Sequence, residues 1–203
     1  MKTMGLMAMA WLTGSSLFAG QSKGAKEEGL VTVCIEAGPS IPLGTLTLVS
    51  KMFARIAVRI DWHTRACPAG AGTIQVDLSS HAPDSQFRHS LAFAQPYEGS
   101  HIVIFADRVQ KRQESICARC PDVMAHVLVH EITHMLEGIS RHSAAGIMKA
   151  QWDERDYFAM GVKPLGFDPE DIYLIHRGLE ARQSGLAATP PTITATNWRV
   201  AVQ

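Results

Sequence analysis

The chain has no net charge. Its 19 lysines and arginines balance 19 aspartates and glutamates over 203 residues. A neutral balance offers no basic face for a phosphate backbone, so nucleic acid is set aside as a partner. No internal repeat runs through the sequence. Beyond the N-terminus, no segment is apolar over the length that a bilayer span requires. Cys117-Ala-Arg-Cys120 is a C-x-x-C pair, but no second such pair accompanies it. No thioredoxin-like strand and helix precede it either, which argues against a redox motif.

What is present fits one globular domain with a real core, at 46% hydrophobic residues. Residues 1–20 read as a secretory signal. Lys2 gives the positive start, Met4 to Phe18 the apolar run, and Ala19 and Gly20 the small residues for cleavage. Leu17 makes the cleavage pattern imperfect. The mature protein is expected in a secreted or periplasmic setting, as a monomer without stable membrane insertion. Four cysteines remain: Cys34, Cys67, Cys117 and Cys120. An even count in an exported chain points to two disulfides. Of three pairings, Cys34–Cys67 with Cys117–Cys120 is the favoured one.

The order of elements is legible in the periodicity. Leu30–Glu36 reads as a strand, Thr45–Ile56 as a helix and Val58–Trp62 as a strand. Thr73–Leu78 alternates as a half-buried strand does. Leu91–Gln95 and His101–Ala106 are two further apolar runs, and a helix over the motif described next follows them. Asp168-Pro169-Glu170-Asp171 signals a last helix, with Asp168 as N-cap and Pro169 at the first position. The domain is expected over 30–183, with a loose tail over 184–203. The fold class is α+β: a twisted mixed β-sheet backed by helices.

The chemistry concentrates in His130-Glu131-Ile132-Thr133-His134, an H-E-x-x-H motif. Residues four apart share a helix face, so both histidines can reach one metal ion. Glu131 stands beside the first ligand, placed to deprotonate a water. Val123, Met124, Val127, Leu128, Ile132, Met135 and Leu136 recur at helical spacing, and Gly138 is a plausible stop. A mostly buried helix has no structural need for two histidines and a glutamate, since each must find a partner. A zinc ion is the simplest partner. The plain alternative is a hydrogen-bonded core cluster.

After the motif come Gly138, His142, Ser143 and then Gly146-Ile147-Met148. In that order the pieces resemble the metzincin metallopeptidases, and among them the matrixin-like branch. That family carries H-E-x-x-H-x-x-G-x-x-H and then a methionine turn beneath the metal. Here Gly138 is one residue late and His142 two residues late. The resemblance implies a zinc endopeptidase with His130, His134 and His142 as ligands, Glu131 as general base and Met148 in the Met-turn. It also implies an active-site helix, then that turn, then a C-terminal helix. The run LAFAQPYEGSHIVIF resembles the matrixin stretch that forms an edge strand over the cleft and the strand after it. Leu91–Gln95 would then pair with an extended peptide or protein substrate.

Rival readings accompany these. Glu154, on the helix-like run QWDERDYFAM, is the third ligand if the protein is similar to gluzincins instead. His126 is expected to be a satisfied helix histidine. His81, Asp84, His89 and His101 lie where matrixins hold a structural zinc, with spacing that fits poorly. Tyr157 is placed either as an oxyanion donor or, more simply, as core. A non-catalytic, zinc-stabilised peptide-binding module is the alternative from another class.

Overall fold

The computed structural model describes residues 29–35, 41–68, 72–80, 89–96, 100–116, 122–185 and 200–202. Its strands are β1 (Gly29–Ile35), β2 (Val58–His63), β3 (Ile74–Ser79), β4 (Ala92–Ala94), β5 (His101–Phe105) and β6 (Val200–Val202). Its helices are α1 (Thr45–Ala54), α2 (Ala106–Ile116), α3 (Asp122–Glu137), α4 (Glu154–Val162) and α5 (Pro169–Gln183). The expected α+β class with a mixed sheet holds. The signal segment, Glu36, His81, Asp84, Cys117 and Cys120 lie outside the described residues.

One six-stranded sheet runs in the order β2-β1-β3-β5-β4-β6. The first four strands are mutually parallel, while β4 is antiparallel to both β5 and β6. Val33 and Ile35 of β1, Ile74 and Val76 of β3, and Ile102 and Ile104 of β5 are buried. β-branched residues suit such a pleated, covered surface. The register sets Val33 beside Ile74 and Val76 beside Ile102, so the apolar side chains line up across the sheet.

α3 is the hub. It lies against α1, α2, α4 and α5 and against β4, β5 and β6. Every side chain from Val123 to Glu137 is buried, as expected of a helix packed on all sides. Each Leu, Ile or Met side chain so covered contributes about 1.5–3 kcal/mol. α5 comes close enough that a Cβ on Gly178 would collide with the Leu136 carbonyl, so that position requires glycine. Arg182 extends the contact by donating to the Met135 carbonyl at 2.6 Å.

The helix ends follow local chemistry. Gly138 adopts φ +68° and its N–H bonds the His134 carbonyl at 2.9 Å, the expected stop for α3. α5 opens as expected: Asp168 accepts from the Glu170 N–H, Asp171 accepts from the Asp168 N–H, and Pro169 follows the cap. Cys34 and Cys67 form the expected disulfide, with their Cα atoms 5.4 Å apart. The bridge fits an oxidising compartment. Among the described residues no helix is long and apolar enough to cross a membrane.

Three features depart from expectation. Between β5 and the motif helix the chain forms α2, whose Lys111, Gln113, Glu114 and Ser115 give no apolar stripe to read. Residues 200–202, expected in a loose tail, form β6. As a result β4 is not the outer strand. β6 covers its free side with the pairs Ala92–Val202, Phe93–Ala201 and Ala94–Val200.

Candidate metal centre

α3 places His130 and His134 one turn apart on the same face, both fully buried. His142 lies on the loop that follows. The three rings converge, with centroids 4.7 Å (His130–His134), 5.3 Å (His130–His142) and 5.0 Å (His134–His142) apart. One ligand nitrogen from each lies within 4.8 Å of the others. The two histidines of the motif and the displaced third histidine are therefore brought together. Glu154 is not: it sits exposed in the first turn of α4.

The hydrogen bonds fix which nitrogens face inward. His130 Nδ1 donates to the Ile147 carbonyl at 2.8 Å, and His134 Nδ1 donates to the Ile139 carbonyl at 3.3 Å. Each ring then has a bare lone pair on Nε2. These two Nε2 atoms stand 3.0 Å apart. Two lone pairs at that distance repel, and a shared cation turns the repulsion into ligation. His142 Nε2 is also buried and has no hydrogen-bond partner among the described residues. Tetrahedral zinc, with Zn–N of about 2.0–2.1 Å, separates its ligand nitrogens by about 3.3 Å. Three nitrogens within 4.8 Å of one another could hold such an ion.

Electrostatics agree. Burial drives His130 down to about 3, against the partial support of its Ile147 hydrogen bond. His134 is held well below the usual histidine range, chiefly by burial and then by its two histidine neighbours. His142 is lowered by burial and by the Arg141 guanidinium. All three directions favour neutral imidazole, the form a metal binds.

A polar clamp holds the loop of His142. The Arg141 guanidinium donates to Asp171 Oδ1 at 2.7 Å, to Glu170 at 2.7 Å and to the Ser143 hydroxyl at 3.0 Å. Ser143 in turn donates to Asp171 Oδ1 at 2.6 Å. Asp171 is fully buried on α5. The Ser143 N–H also bonds the Met148 carbonyl at 2.8 Å, closing a turn. Gly146 has φ +77° in that turn, and its Cβ position lies 2.5 Å from the Gly166 carbonyl oxygen. Met148 is fully buried.

Trp152 packs edge-on against His130 at 5.7 Å and against Tyr157 at 6.1 Å. Tyr157 is buried, with the Arg112 guanidinium 5.4 Å from its ring centre. His126 accepts from the Leu165 N–H at 3.1 Å and so is the satisfied helix histidine expected. His101 pairs with Asp77 at 2.6 Å on the sheet surface. Glu131 is fully buried on α3. Asp171 and Trp152 carry no sequence signal as supports of the centre, and Arg141 carries only a slight one. That signal is the adjacency of Arg141 and Ser143 to His142.

Comparison with protein-family models, with curated proteins and with solved structures found no match. The class therefore rests on the site itself: an α+β domain whose three convergent histidines could hold a metal, with zinc a plausible ion.

Proposed function

We propose that the chain is a secreted or periplasmic zinc-dependent endopeptidase, resembling the metzincins, with His130, His134 and His142 as ligands. The observation that carries this reading is the pair of Nε2 lone pairs held face to face on an H-E-x-x-H helix. Bound zinc supplies Lewis acidity, polarising a carbonyl and lowering the pKa of a water to about 7. The protein's own residues supply the rest. Ile147 and Ile139 carbonyls orient the two helix histidines. Glu131 accepts the proton of the attacking water and passes it to the leaving amine. Met148, fully buried at the end of the turn, would take the part of the Met-turn methionine.

The test is cleavage of a peptide library by the purified chain, read by mass spectrometry, beside Glu131→Gln. The substitution keeps the zinc and lowers hydrolysis by about 10²–10⁴-fold. Equal hydrolysis by both would remove Glu131 as the base. One observation favours a second reading, a zinc-stabilised module that only holds peptides: β4 already carries an extended segment, β6, on its outer side. Bound zinc with no cleavage by either chain would select it.

A further inference from the structure

The site leaves one feature without a role. β6 is a strand of three residues, reached through chain that begins beyond α5, yet it occupies the whole outer side of β4. It also runs beside α3, the helix that bears the histidines. We infer that residues 200–202 occupy the outer edge of β4 in cis, as an internal competitor of the extended peptide substrate that the metzincin resemblance implies for that edge. This rests on the proposed function, because it assigns the restraint on that same site.

Each part of the ladder suits the role. β4 offers Ala92 and Ala94 flanking Phe93, all buried, so the strand presents a packed edge whose outward backbone pairs with β6. Antiparallel addition of a strand satisfies those backbone groups whatever the added side chains are. Val200-Ala201-Val202 carries no charge and is rich in the β-branched residues that strands favour. Three residue pairs make a short ladder, so β6 is displaceable by a longer peptide that adds contacts of its own. Its advantage is tethering: a segment of the same chain acts at a high effective concentration. The edge is thereby covered against chance pairing with other chains as well.

The test uses the full chain with Val200→Pro, Ala201→Pro and Val202→Pro together, which removes every N–H of β6. The probe is a fluorescent peptide of residues 197–203, Asn-Trp-Arg-Val-Ala-Val-Gln. Binding is measured by anisotropy in a Glu131→Gln background, so that hydrolysis plays no part. The triple variant is expected to bind at least about tenfold more tightly than its parent. Equal binding by the two, or binding by neither, overturns the inference. A second variant guards against misfolding by the prolines. Ala94→Cys with Val200→Cys pairs two residues that face each other, and their disulfide locks β6 in place. The oxidised lock must bind the probe less than the parent, and equal binding again overturns the inference. With Glu131 restored, the triple variant is expected to cleave library peptides about tenfold faster. Should no chain cleave while binding still differs as stated, the peptidase reading fails and the cis competitor stands.

Discussion

His130 and His134 reach the centre from one buried helix, whereas His142 reaches it from a loop. The two kinds of support differ in how they are built. The helix pair is fixed by 3.6-residue geometry and by covering on every side, so any packed α3 delivers both rings. His142 has no such frame. Its position depends on Arg141, Ser143 and Asp171, the last from a helix nearly thirty residues away in sequence. A ligand on a helix is specified locally, and a ligand on a loop is specified by tertiary contacts.

Removing a helix ligand should break the comparison most sharply. His134→Ala removes one of three ligands, and isothermal titration should show a loss of zinc affinity well beyond the 10–100-fold typical of an outer partner. Asp171→Ala should act on zinc through the loop, and it also removes the acceptor of the Asp168 N–H at the start of α5. It strips the acceptor from Arg141 and Ser143 and is expected to weaken zinc by about 10–100-fold, with a loss of about 1–3 kcal/mol in denaturant unfolding. If zinc affinity were unchanged, the clamp would be irrelevant to His142. Gly146→Ala sharpens the same point at the turn. A Cβ there meets the Gly166 carbonyl at φ +77°, so a destabilisation of about 1–3 kcal/mol is expected.

The smallest effect concerns Glu137, at the end of α3 beside the clamp. Burial, and next the Asp171 carboxylate, raise it to about 8 from an ordinary 4.5. Between those values the folded state keeps a proton that the unfolded state has released. Stability from this group is therefore present below about 4.5 and is lost as pH rises towards 8. Glu137→Gln imitates the protonated form. Its melting temperature should match the parent near pH 5 and exceed it increasingly up to pH 8, by differential scanning calorimetry. A constant offset across that range would contradict the shift.

The same contrast explains what was legible beforehand. The H-E-x-x-H helix, its Gly138 stop, the Asp168 cap and the Cys34–Cys67 pairing depend on short-range rules or on very few choices, and the sequence displays them. His142 was found through its order after the motif, although its spacing is unusual. α2 was missed because a polar helix docked mainly through Val109 has no readable stripe. The Arg141–Asp171 pair was missed because nothing local links two residues thirty apart. β6 was missed because three residues carry no measurable period.

One detail of the centre bears on how it comes into being. The carbonyls that orient His130 and His134 belong to Ile147 and Ile139, both downstream of the helix they serve. A chain that emerges from its N-terminus must therefore deliver α3 before the groups that aim its histidines exist in place. Orientation of both rings waits for residue 147, and the hold on His142 waits for residue 171. Biogenesis thus keeps the two helix histidines unaimed until most of the domain has been synthesised.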